Sequence, residues 1–228
     1  MKNRVFIAFL LSVIMKGASA QPARYNLEAR MIEIRDLFIE RFVHPETSMI
    51  MDFYDPPNTF YSKNLPTAEE IRSCIPNPTG WKTGMENSTM DMGVMLPGLV
   101  YAAEASKDPA DVEFARRIFN GCVLVATVGE PGFVARHVMP DMKTYYPNSS
   151  VDQYTMFTYG VWGYYHSDFA TEKEKELIRK IMNDIASKIV RDGYTITRDD
   201  GNPNVWVSDL ESIKPDRSSR LLMILLAA

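Results

Sequence analysis

The sequence predicts an all-α protein in which αα-hairpins curl into a toroid of the (α/α)6 type, with about half of that ring present in this chain. Two observations predict it. Helical segments alternate between amphipathic, with one wet face, and apolar all round, as expected for an element buried on every side. Connections alternate as well: they are short after the all-apolar helices, at Lys107–Pro109 and Ser167–Thr171, and long before them. A hairpin array that closes on itself puts the apolar helices inside and the amphipathic ones outside. A plain helical bundle accounts equally well for the apolar faces, but not for a long, aromatic-rich loop before each buried helix.

Residues 27–43 place Leu27, Met31, Ile34, Leu37/Phe38 and Phe42/Val43 on one face and read as an amphipathic helix. A loop rich in Pro, Asn and Tyr follows (44–66), then a helical turn near Thr67–Cys74. Residues 85–106 form the first all-apolar helix, with Gly93, Pro97 and Gly98 inside it; Pro97 is expected to kink it. Asp108-Pro109 is a helix start, with Asp as N-cap and Pro at the first helical position. That helix runs to about Val128 with Val112, Ala115, Ile118/Phe119, Cys122/Val123 and Ala126 inward.

After a long loop (129–151), residues 152–166 form the second all-apolar helix, whose C-terminal Tyr164, Tyr165 and His166 read as core. Thr171-Glu172-Lys173-Glu174 is a capping box that opens an outer helix with Ile178, Ile181/Met182, Ile185 and Ile189 inward, ended at Gly193. A third long loop (194–216) leads to a last apolar helix from about Ser218. No outer helix follows that segment and it carries no C-cap. Residues 21–228 are therefore expected to be a partial toroid domain, truncated at its C-terminus, that is completed by a missing second half or by self-association.

Residues 1–20 read as a cleavable export signal. Lys2 and Arg4 precede an apolar run from Val5 to Met15, and Ala18-Ser19-Ala20 supplies the small residues a signal peptidase reads. The run is shorter than the roughly 20 residues a membrane anchor needs. The expected location is periplasmic or secreted, in a bacterium. Removing the three basic residues of the signal from 25 leaves 22 against 29 acids, a formal charge of −7. That charge argues against nucleic acid or an anionic membrane as partner. Cys74 and Cys122 could pair in an oxidising compartment, although two separate thiols fit their contexts at least as well. The three histidines and two cysteines show no ligand spacing, so no metal is expected.

Two loop–helix junctions carry a resemblance. Gly80-Trp81-Lys82-Thr83-Gly84-Met85-Glu86-Asn87 leads into one inner helix, and Tyr146-Pro147-Asn148-Ser149-Ser150-Val151-Asp152-Gln153-Tyr154 into the next. With the alternating helices, they resemble the six-hairpin glycosidase-like (α/α)6 toroids of bacteria, among which unsaturated glucuronyl and rhamnogalacturonyl hydrolases are the nearest characterised relatives. The resemblance covers roughly Leu27 to the end of the chain. It implies an inner-helix Asp that protonates the substrate and activates water, and Asp152 is the matching position. A second Asp beside it is missing here; Gln153 stands in its place.

In such a ring the mouth is formed by inner-helix N-termini and the loops before them, so Glu86, Asp152 and the loop 206–209 should converge. Glycoside hydrolysis needs an acid and a second carboxylate at a set separation, and Asp152 and Glu86 are the candidate catalytic pair, with Asp91 behind Glu86. Ser150 and Asp152 also fit ordinary helix capping, and Asp91 fits a buried salt bridge or hydrogen bond. Trp81, Tyr145, Tyr146 and Trp206 are candidate platforms for sugar faces; packing loops onto the ring is their alternative role. Asn87, Arg136, His137 and Gln153 complete the candidate substrate-binding set.

The expected function is that of an exported, cofactor-independent glycoside hydrolase acting on oligosaccharides. A polysaccharide lyase that uses Tyr, His and Arg, and a non-catalytic glycan-binding protein, are the alternatives.

Overall fold

The computed structural model describes residues 27–52, 65–200 and 202, and their regular secondary structure is α-helix. The segment read as an export signal, Trp206 and the apolar segment from Ser218 lie outside the described residues. The chain divides after Ile39 into two compact units. The first holds the greater part of α1 (Leu27–Phe42), whose predicted inward residues Met31, Ile34 and Leu37 are exposed.

The second unit carries the remaining helices: α2 (Ala68–Arg72), α3 (Ser88–Ser106), α4 (Pro109–Thr127), α5 (Val151–Tyr165) and α6 (Glu172–Arg191). Among the described residues the extended pairing is a single antiparallel bridge between Val43 and Ile50.

The predicted caps hold the helix ends. Thr171 accepts from the Glu174 amide while the Glu174 side chain returns to the Thr171 amide. Thr67 and Glu70 form the same reciprocal box at α2, and Asp108 accepts from the Ala110 amide with Pro109 opening α4. Past the end of α6, Gly193 takes a φ of +68°, the left-handed geometry glycine adopts at low cost. Pro97 lies inside α3, which continues through it to Ser106.

The helices form two successive αα-hairpins, α3–α4 and α5–α6, whose first members pack on each other. Three contacts in rising order along both chains show that α3 and α5 run parallel. The Met90 amide meets Gln153, Gly93 faces the Met156–Phe157 backbone, and Pro97 faces Gly163. The small residues set how closely the two backbones approach. A Cβ on Gly93 would stand 2.1 Å from the Met156 carbonyl oxygen, and one on Gly160 would stand 2.7 Å from Gly93 Cα. Each helix buries one face in this crossing, but neither is enclosed all round as its apolar sequence predicts: Val94 and Tyr101 of α3 and Tyr159 of α5 are exposed.

On the outer side, Phe119 of α4 stacks on Tyr164 of α5 with centroids 4.1 Å apart. Ile178, Ile181, Met182, Ile185 and Ile189 of α6 are buried as predicted. Cys122 is buried and Cys74 half-buried, and both thiols are free. His166, read from sequence as core, is exposed at the C-terminal end of α5, because the helix ends there and its ring lies against Trp162 at the surface.

Gly93→Ala should lower stability by about 2 kcal/mol, since overpacking against backbone costs up to roughly 3 and the gain in helix propensity returns only about 1. Gly98→Ala, with nothing within 4 Å of its added carbon, should instead raise stability by up to about 1 kcal/mol. Urea unfolding of the two variants checks the contrast. Equal effects would contradict the close crossing.

Candidate functional site

A helix leaves its first amides without intrahelical partners, and amides of α3 and of the two residues ahead of it find theirs in three distant parts of the chain. Asp52 accepts from the amides of Glu86 and Asn87, both at 3.1 Å. The Arg136 carbonyl accepts from the Thr89 amide at 3.0 Å, and the Gln153 side-chain oxygen accepts from the Met90 amide at 3.0 Å. Gln153 also donates to the Glu86 carbonyl and to Asn87 Oδ1, each at 3.3 Å. The first turns of α3 and α5 are thereby tied together.

The loop that precedes α5 threads through this junction as a buried strip. Phe133, Val134, Ala135, Arg136, His137 and Val138 are all buried. Tyr154 anchors the strip by accepting from the Val134 amide and donating to the Gly132 carbonyl. Thr89 donates to the Ala135 carbonyl at 2.6 Å. At the far end of the loop Lys188 of α6, itself buried, holds Glu130 at 2.5 Å, Asp192 at 2.7 Å and Thr197 at 2.8 Å.

Four carboxylates meet at the junction: Asp52 from the loop before α2, Glu86 just ahead of α3, Asp91 in its first turn, and Asp152 in the first turn of α5. Arg136 lies among them with a relative exposure of 5 %. One terminal nitrogen donates to the Glu86 carbonyl at 3.2 Å and the other to Ser150 Oγ at 2.8 Å, while its Nε is buried without a partner. Ser150 donates in turn to Asp152. The guanidinium acts electrostatically on Asp152, Glu86 and Asp52.

Burial sets the protonation of these groups. It raises Asp91 to about 6, with the negative charge of Asp52 adding to the effect. It also raises Glu86, against the pull of Arg136 and with help from the charges of Asp52 and Asp152. Asp52 is raised by burial too, while the two amides it caps pull the other way.

The candidate set does not all face one cavity. Glu86, Asn87, Asp152, Arg136 and Gln153 are brought together, but Gln153 is fully buried and serves as a clamp between helices. His137 is 1 % exposed and hydrogen-bonds Ser88 through Nδ1, while Ser88 also donates to the Ile50 carbonyl. Burial and the neighbouring His44 hold His137 down to about 3. Tyr146 belongs to a core cluster with Met51, Ile71 and Met85, and its hydroxyl donates to the Ile75 carbonyl; it offers no face to a sugar. Tyr145 is half-buried and spends its hydroxyl on Asp199. Trp81 is exposed, with the Lys82 ammonium 4.9 Å from its ring centre.

Asp91 occupies a different place from the one the sequence suggests. The helix begins at Ser88 rather than Met85, so Asp91 lies in the first turn beside the other acids, not deep inside. Asp52 carries no local signal at all, because its partners lie 34 and 35 residues away.

A separate groove of about 430 Å³ runs between the C-terminal halves of α3 and α5, lined by residues that include Tyr101, Glu104, Tyr159, Trp162 and His166. It contains one carboxylate, Glu104, which accepts from the Asp168 amide, so it lacks the paired acids that carboxylate chemistry requires. The acids at the helix N-termini are the stronger candidate site for that reason.

Among the described residues no group of three or more His, Cys, Asp and Glu side chains could hold a metal ion, and no helix is long and apolar enough to cross a membrane. No family model, curated protein or solved structure matches the chain.

Proposed function

We propose that this chain is part of an exported (α/α) toroid and works as a glycoside hydrolase on oligosaccharides, by carboxylate acid/base chemistry without a cofactor. One observation carries the reading: carboxyl groups in unlike environments are gathered at the N-termini of two parallel, buried helices. Such acids can take opposite parts in a proton transfer, one as donor and one as acceptor. Asp91, half-buried and raised to about 6, suits the protonated partner that the leaving oxygen needs. Asp152, exposed at the surface of the cluster, is the carboxylate that water and a sugar can reach, and suits the second part, that of activating water or attacking the sugar. Glu86, half-buried and raised by burial, feels the charges of Asp52 and Asp152. Trp81, an exposed aromatic five residues ahead of Glu86 in the sequence, suits the apolar face of a pyranose.

Elimination chemistry is less well supported. A lyase abstracts a proton with an accessible base, and His137, the histidine of this region, is sealed beneath the site and a very weak base.

The test is turnover on a panel of oligosaccharides, read by new reducing ends. Asp152→Asn and Asp91→Asn should each lower kcat by at least about 100-fold, the usual contribution of general acid–base groups, and Glu86→Gln should lower it by a smaller factor, with circular dichroism unchanged in all three. Growth of ultraviolet absorbance from a new double bond would replace hydrolysis by elimination. Binding without any product would reduce the site to a glycan receptor.

A further inference from the structure

We propose that Asn77 is the positioning residue of the Trp81 platform: it fixes the backbone that carries the exposed indole and so presents a ready-made stacking face to a sugar ring. The inference rests on the hydrolase reading for its kinetic arm only.

Tryptophan is on average a highly buried residue, yet Trp81 has a relative exposure of 52 %. The loop around it is tightly built. Thr79 and Gly80 ahead of the Trp81-Lys82 pair, and Thr83, Gly84 and Met85 after it, are all buried. Gly80 lies so close to Tyr146 that an added Cβ would stand 2.6 Å from that ring, and the Tyr146 hydroxyl donates to the Ile75 carbonyl. Thr83 closes the turn from the other side. Its amide donates to the Gly80 carbonyl at 3.1 Å, and its hydroxyl donates to the same carbonyl at 2.6 Å. The loop is thus clamped on both flanks and turns the indole outward.

Asn77 holds the residue between those flanks. Its Oδ1 accepts from the Trp81 amide at 2.9 Å, and its Nδ2 donates to the Trp81 carbonyl at 3.0 Å. One side chain therefore grips both backbone polar groups of Trp81. The same Oδ1 accepts from the Thr79 amide at 3.1 Å and from the Thr79 hydroxyl at 2.7 Å, which fixes the Asn77 side chain in turn. Beyond Trp81, the Lys82 ammonium lies over the indole, 4.9 Å from its centre. The Lys82 amide hydrogen-bonds the Glu86 carboxyl, so the loop that presents the ring also reaches an acid of the site. An aromatic face already in place when a ligand arrives avoids the cost of ordering it on binding, which is how rigid aromatic anchors supply contact area at low entropic cost.

The test combines order and binding in Asn77→Ala. The Trp81 indole N–H, identified by its loss in Trp81→Ala, should give a near-rigid heteronuclear NOE in the parent chain and a clearly reduced one in Asn77→Ala, with circular dichroism unchanged. In turnover on the oligosaccharide panel, Asn77→Ala should raise KM by up to about tenfold, the effect of having to order one side chain on binding, with kcat little changed. Trp81→Ala should raise KM as well. Adding Asn77→Ala to it should raise KM no further, because a residue that acts through the indole has no effect once the indole is gone. Asn77→Asp, which keeps the acceptor and loses the donor to the Trp81 carbonyl, provides the same comparison should Asn77→Ala not fold. An indole as ordered in the Asn77 variants as in the parent, or effects on KM that add in the double variant, would overturn the inference. A loosened indole with no oligosaccharide bound or turned over by the parent chain would instead leave Asn77 as the residue that holds Trp81 and remove the hydrolase reading.

Discussion

Replacing Arg136 by methionine is expected to destabilise the chain by about 2 kcal/mol at neutral pH, the lower end of the range for leaving two buried acceptors without their charged donor. Two effects combine. The Glu86 carbonyl and Ser150 hydroxyl lose a donor, and Asp152, Glu86 and Asp52 lose the buried cation that acts on all three. The lower end applies because Asp152 is exposed and Glu86 half-buried, so water takes over part of the lost interaction.

The deficit should depend on pH in a defined sense. Without the guanidinium the folded carboxyls hold their protons more tightly, so the variant loses more stability than the parent as pH rises through the range where they ionise. The difference between the two chains should be largest at pH 7–8 and shrink toward pH 4. Urea unfolding at a series of pH values measures it. A deficit that stays constant across that range would mean that Arg136 matters only as a packing and hydrogen-bonding group.

Asp91→Asn is expected to do the opposite to stability while removing activity. The folded-state value of Asp91 lies near 6 against an unfolded value near 3.8, so the folded chain binds the proton more tightly than the unfolded one. Stability therefore falls as pH rises from about 4 to 6, and the cost is present in full above that window. Asparagine has the same shape and no charge to desolvate. The variant should unfold at higher temperature than the parent at pH 7–8, and the two should converge near pH 4. Scanning calorimetry at the two ends of the range checks this. A variant less stable than the parent at pH 8 would show that the ionised form of Asp91 is held by favourable bonds, and would remove it as the acid. A group that destabilises its own fold at working pH is a common mark of a functional site, where chemistry rather than stability selects the side chain.

How much was legible in the sequence differs from element to element. The helices were legible because their signals are local. The capping box at Thr171/Glu174, the Asp108-Pro109 start and the isoleucine stripe of α6 each lie within a few residues of what they organise; the box at Thr67/Glu70 is as local, although the sequence reading marked only a helical turn there. The all-apolar character of α3 and α5 marked them as helices that pack on each other, but it overstated their enclosure, because Val94, Tyr101 and Tyr159 stay exposed.

Boundaries and the site were less legible. The start of α3 moved from Met85 to Ser88 because its first amides are capped by residues far along the chain, and no nearby residue announces them. That shift relocated Asp91 from the helix interior to the cluster of acids. Arg136 and Gln153 were picked out as contacts for a sugar, yet the fold uses both as internal ties, because their partners on α3 become neighbours only when the two helices align in parallel. Tyr146 and His137 looked like loop residues and are buried, since the loop before α5 lies under the junction rather than over it.

By itself, then, the sequence determined where the helices form and that acids stand at the start of the two apolar ones, all through periodicity and capping within single segments. Tertiary structure alone decided that Asp52 joins those acids and which groups are sealed. It also decided that Asp91 stands next to a charge and stays protonated to about 6. The physical reason is range: a cap or an apolar stripe acts over one helical turn, whereas burial and charge act between residues that only folding brings within a few ångströms.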